Sequence, residues 1–271
     1  MSQRWLERPW RQTTPRLAAP RLAISRNTDW ACETLSPIFR ATIPGSLGGW
    51  LGQLTPDLIA MGLTTYVVLL FSLSFHEAAH AWAALRMGDD TALRQGRISL
   101  NPTVHIDPMG TVLLPLVMFL TTGSPLFGWA KPTPYDPASF RRDRSMAAGH
   151  LVVAGAGPLS NLVLALCCTA GLYVVLRMGL PHSHPAVIVF AVGVQVNVLL
   201  ALFNMVPLPP LDGSKLAAWG LPRALGDAYV RIVEPYGGLL LMILFVMPYG
   251  LGALLMPFVS FLTHLLFQMA R

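Results

Sequence analysis

Residues 145–176 run for 32 positions without an Asp, Glu, Lys or Arg; residues 178–211 add 34 more and residues 235–270 another 36. A shorter stretch, 58–76, holds 19. A helix needs about 20 apolar residues to cross a bilayer, and backbone in lipid must satisfy its own hydrogen bonds. Each stretch therefore has room for at least one membrane helix. Hydrophobic residues make up 54% of the 271 and charged residues 12%, about half the usual charged share, which excludes a disordered chain and collagen. Three cysteines, two of them adjacent (Cys167, Cys168), cannot staple a small secreted scaffold. The net charge of +6 comes without a basic stripe interleaved with aromatics, so nucleic acid is not expected; anionic lipid head groups suit the arginines better.

The expected fold class is an α-helical integral membrane protein with about 4–6 membrane helices and a short re-entrant or β element near the cytoplasmic side. Spans are expected at about 57–87, 148–176 and 186–205. Between the first two, RISL (97–100) reads as a short strand, and TVLLPLVMFL (111–120) is too short to span, so it reads as a re-entrant loop or a buried strand pair. The stretch after 235 is split at Pro248-Tyr249-Gly250, as one broken span or a tight helical pair. Residues 1–50, with seven arginines, several prolines and no spanning run, form a basic extension, surface-lying or disordered, or the product of an overextended start; residues 51–271 are the membrane domain. Segment 88–147 carries six Lys and Arg, segment 207–236 three and segment 177–185 one. The positive-inside rule places the first two in the cytoplasm, and the tail then falls on the wrong side for that rule. His182 and His184 are expected in an outer loop.

Chemistry concentrates at His76-Glu77-Ala78-Ala79-His80. Histidines four apart lie on one helical face, so both rings can reach one tetrahedral ion, with Glu77 beside it to take a proton from an attacking water. The motif continues an uncharged span, where each ionisable group costs about 2.5–3.5 kcal/mol on the mildest scale; a divalent cation would compensate. A catalytic zinc takes three protein ligands and keeps one position open. Asp212 ends 34 uncharged residues, and the prolines at 207, 209 and 210 forbid a continuing helix, so it ranks first as third ligand unless it caps the following helix. His105 is the competing candidate, as ligand or as partner to one.

HEAAH at 76–80, AGAGPLSN at 154–161 and NMVPLPPLDG at 204–213 together resemble the site-2 protease family of intramembrane zinc metalloproteases. NPTVHIDPMGT at 101–111 and GWAKPTP at 128–134 resemble a compact bacterial branch of it, and the likeness covers about residues 58–268. The resemblance implies one zinc held by His76, His80 and Asp212, with Glu77 as general base and Asn161 orienting substrate or the developing oxyanion. It implies that Asn204 stands near the site, touching substrate or a ligand. It further implies a single-pass membrane protein as substrate, cut within or beside its transmembrane segment, and a site opening to the cytoplasm of a bacterial inner membrane. No segment has room for a PDZ or CBS module. Two other readings remain: an inactive scaffold of the same fold, for which Glu77 would have no reason to be Glu, and a metal transporter, which usually shows repeated broken helices. Oligomeric state and substrate identity are not legible.

Overall fold

The computed structural model describes residues 55–122, 128–141, 143, 145–246 and 251–270. The basic tail, Gly123, Arg142, Arg144 and Pro248-Tyr249-Gly250 lie outside them. Among the described residues, three helices are long and apolar enough to cross a membrane: α1 (Pro56–Met87), α4 (Met146–Arg177) and α5 (Pro185–Asn204). Their ends are written in the sequence. Thr55 accepts the Leu58 N–H at 3.2 Å ahead of Pro56, Ser145 accepts from Ala148 at 3.1 Å, and His184 accepts from Ala186 at 3.2 Å ahead of Pro185, each a side-chain N-cap. Thus His184 is a capping residue of α5. Gly88, at φ +108°, closes α1 in the left-handed conformation that glycine adopts without strain.

Lipid supplies no hydrophobic drive between helices, so packing and buried polar contacts must hold them. One stripe of α1, including Leu69, Leu73, His76 and His80, is buried, while Leu63, Val67 and Phe71 face outward. Helix α5 is the most enclosed of the three, lying against α1, α4 and α9 (Leu251–Met269). Its Val192, Val194, Val196 and Val198 join Leu69, Leu172 and Val259 in the main core.

Two expectations about strands are corrected. No strand forms among the described residues. Residues 97–100 are irregular, and their backbone bonds elsewhere than in a ladder: the Arg97 N–H donates to the Ala92 carbonyl and the Ser99 carbonyl accepts from His105 Nε2, both at 2.9 Å, while the buried Arg97 guanidinium donates to the Val104 carbonyl and Asn101 caps a 3-10 turn at Pro102–Val104. The segment expected as a re-entrant loop or strand pair is helical, a π-turn at Pro108–Leu113 running into α3 (Leu114–Thr122). Asp107 starts it by accepting from Met109 and Gly110 at 3.0 and 2.7 Å. Pro115 cannot donate to Thr111, and the Thr111 carbonyl accepts from the Tyr66 hydroxyl instead, at 3.0 Å. A four-residue helix, α2 (Thr91–Arg94), precedes these turns. After α5 the chain is non-helical through 205–211, then forms α6 (Asp212–Gly220), α7 (Arg223–Val233) and α8 (Gly237–Val246). Helices α8 and α9 lie on either side of residues 247–250.

Candidate metal centre

Helix α1 carries His76, Glu77 and His80 one turn apart, and the start of α6 brings Asp212 to them. His76 Nε2 and His80 Nε2 each lie 3.1 Å from Asp212 Oδ2 and 3.0 Å from one another. These three buried side chains form the one group of metal-ligating type found among the described residues. Asp212 does not cap α6: the N-cap is Leu211, and no side-chain capping bond is made.

The other ring nitrogens decide what this triangle is. His80 Nδ1 lies 2.7 Å from the Val153 carbonyl, which can only accept, so Nδ1 carries the proton. His76 Nδ1 donates to Asn161 Oδ1 at 2.7 Å. In the neutral rings both Nε2 atoms are therefore lone pairs, aimed with a carboxylate oxygen at one point. Three acceptors so close call for positive charge between them. A proton on one nitrogen would satisfy one edge; a divalent cation satisfies all three. Tetrahedral zinc with ligands at 2.0–2.2 Å sets its donors about 3.3 Å apart, close to the spacing here. The donor set, the spacing and the fixed Nδ1 protons fit zinc.

Gly157 lets α4 lie flat on the imidazoles; a Cβ there would collide with His80 Nε2 and His76 Nε2. Glu77 points beside the triangle, and its Oε2 accepts from the Thr133 N–H at 2.8 Å while Thr133 Oγ1 donates to the Glu77 carbonyl at 3.1 Å. Lys215, one turn into α6, places Nζ 3.9 Å from Asp212 Oδ1. His76, Glu77, His80, Thr133, Asp212 and Lys215 border a cavity of about 650 Å³ that also meets Asn204 and Tyr135. Most of its wall is apolar, with Leu114 of α3 and Pro210–Leu211 contributing. Burial, reinforced by the Asp212 charge, pushes the Tyr135 phenol up, so it stays a neutral hydroxyl, paired with His150 Nδ1 at 3.2 Å.

Of the residues singled out in the sequence, His76, Glu77, His80, Asp212 and Asn204 meet at this cavity. Asn161 stands behind it, fully buried, with Nδ2 donating to Asn197 Oδ1 at 2.9 Å and reaching the Ser72 carbonyl at 3.4 Å. His105 is elsewhere, donating from Nε2 to the Ser99 carbonyl at 2.9 Å. Three participants went unread: Thr133, Tyr135 and Asn197. The first two act through a loop whose path no periodicity reveals. Asn197 did leave a signal, an amide in the middle of an apolar span.

No family model and no solved structure matches the chain. Curated relatives do, all named provisionally as zinc metalloproteases. YwhC of Bacillus subtilis is 38% identical over 202 residues, 70% of this chain and 84% of that protein. Rip2 of Mycolicibacterium smegmatis is 31% identical over 191 residues, covering 66% and 68%. Rip3 of Mycobacterium tuberculosis is 30% identical over 210 residues, 74% of this chain but 42% of the longer relative.

Proposed function

Because this chain belongs to the site-2 protease family of zinc metalloproteases, we propose that it is a zinc endopeptidase that cuts membrane-protein substrates within or beside their transmembrane segments. The observation that carries the reading is the placement of two lone-pair imidazole nitrogens on the membrane-length helix α1 and a carboxylate oxygen at the start of α6, 3.0–3.1 Å apart, beside a cavity with a Glu on its wall. His76, His80 and Asp212 would hold one zinc. When bound, zinc acidifies water and polarises a carbonyl as a Lewis acid.

The chain's own groups supply the rest. Glu77 is held by Thr133 through Oε2, which leaves Oε1 to take a proton from the attacking water and return it to the leaving amine. Asn204 faces the cavity and spends Nδ2 on the Leu200 carbonyl at 3.0 Å, leaving its other N–H and Oδ1 for substrate. We place the substrate-facing amide there, and give Asn161, whose bonds are all internal, the task of orienting His76. Tyr135 adds a neutral hydroxyl on the same wall.

A helical substrate must unwind before its peptide carbonyl is accessible. Loop 128–134 offers it an extended partner. The N–H groups of Trp129, Lys131 and Thr133 all point to one side, to Gly110, His105 and Glu77. Ala130 lies between them, on the cavity, with no backbone bond among the described residues. An unwound segment pairing with Ala130 would be held by strand addition. The cavity would open to the cytoplasm, the side that the Lys and Arg of segments 88–147 and 207–236 favour, in a bacterial inner membrane.

The test uses the full chain purified in detergent. About one zinc per chain, together with cleavage of a single-pass membrane protein by the wild type and none by Glu77→Gln, supports the protease. Zinc binding with equal cleavage by both would remove Glu77 from the mechanism. A folded wild type that takes up no zinc would end the reading.

A further inference from the structure

The metal-facing histidine is not the end of its own hydrogen-bond chain. Behind His76 stand two asparagines from different helices, Asn161 on α4 and Asn197 on α5, respectively fully buried and 2% exposed. Asn197 Nδ2 donates to the carbonyl of Gly193, one turn back on its own helix, at 2.9 Å. That carbonyl can only accept, so the Asn197 amide has one orientation, with Oδ1 turned to Asn161 Nδ2 at 2.9 Å. Asn161 is then fixed in turn: its nitrogen faces Asn197 and its Oδ1 faces His76 Nδ1 at 2.7 Å.

We infer that Asn197 is a positioning residue of the metal centre: acting through Asn161, it determines which His76 nitrogen carries the proton and how the ring is aimed. The inference rests on the zinc-protease reading of the site. Reversing the Asn161 amide would set its Oδ1 against Asn197 Oδ1 and near the Ser72 carbonyl, three acceptors facing one another, and would present an N–H to His76 Nδ1. His76 would then hold its proton on Nε2, inside the triangle, where a cation belongs. The Ser72 carbonyl, at 3.4 Å, is too distant to prevent that reversal alone. Asn197 is the group that makes it costly. The close approach of α4 and α5 serves the same end: Gly193 has no side chain where Cys168 Sγ packs, and a Cβ there would lie 2.6 Å from that sulfur.

The experiment measures zinc affinity of the full chain in detergent, by competition with a chromogenic chelator, together with the visible spectrum of the Co2+-loaded protein. Outer partners of metal-bound histidines typically contribute 10- to 100-fold in affinity. Asn197→Leu is expected to weaken zinc about tenfold and to alter the Co2+ bands, with the helix content of the metal-free protein unchanged. Asn197→Asp restores wild-type behaviour, because a carboxylic acid kept protonated in this apolar setting presents the same carbonyl and donor. The double variant Asn161→Leu, Asn197→Leu binds zinc no more weakly than Asn161→Leu alone, since residues acting in series are not additive. Wild-type affinity in Asn197→Leu overturns the inference, and so does an additive double variant. A loss that follows destabilisation of the metal-free protein and is not restored by Asp also overturns it. Absence of zinc from the wild type is a different result, and strikes the protease reading itself.

Discussion

Of the places where this molecule buries a histidine, the metal centre and the loop before α3 use the ring in opposite senses. At the metal centre both Nδ1 atoms donate to fixed acceptors, Asn161 Oδ1 and the Val153 carbonyl, which leaves both Nε2 lone pairs free to converge. In the loop before α3 the bonded nitrogen of His105 is Nε2, donating to the Ser99 carbonyl, and the buried Nδ1 has no partner among the described residues. His105 is as enclosed as the other two, at 2% exposure, and its own carbonyl accepts from Lys131 at 2.8 Å. It ties the 97–105 loop to the segment that crosses the cavity. Burial therefore does not distinguish a ligand from a strut. The partner of the second ring nitrogen does.

Removing a vertex of the triangle should give the largest effect. Asp212→Ala leaves two lone pairs with no carboxylate, and zinc in the purified protein should fall from about one per chain to near none by elemental analysis, since a catalytic site needs three protein ligands. Glu77→Gln should keep its zinc while turnover drops about 10²–10⁴-fold, the usual worth of a positioned general base; metal loss in this variant would show that Glu77 is a ligand. Asn161→Leu should weaken zinc about 10- to 100-fold, and a ratio near one would erase the distinction between the two places. His105→Phe should leave zinc affinity within about twofold while lowering stability by about 1–3 kcal/mol, the cost of a lost buried hydrogen bond and poor fit. Zinc loss from that variant, in protein that is still folded, would mean His105 supports the centre after all.

What could be read in the sequence follows from what each feature needs. Uncharged runs and caps such as Thr55, Ser145 and His184 are local, so α1, α4 and α5 begin and end within two residues of where the pattern places them. The i, i+4 spacing of His76 and His80 is equally local. Asp212 could be ranked because a lone charge after 34 uncharged residues demands a partner. The strand expectations failed for the opposite reason. The backbone at 97–105 is satisfied by Arg97 and Asn101 side chains, and the π-turn at Pro108–Leu113 depends on a hydroxyl from Tyr66, 45 residues away. The Asn161–Asn197 bond likewise depends on two helices meeting. A polar side chain within a span announces that it has a partner, but not which one.

Thr133 stands between Pro132 and Pro134, so of three consecutive residues it alone has a backbone N–H to give, and that hydrogen goes to Glu77. The bond belongs to the main chain, and nearly any amino acid at 133 could supply it; proline is the exception. Insertion or deletion of a single residue nearby is another matter, because it would bring an imino nitrogen opposite the carboxylate. Drift in this protein should therefore be lenient toward spelling at position 133 and strict about frame: across descendants, the letter there can change while the count from Trp129 does not.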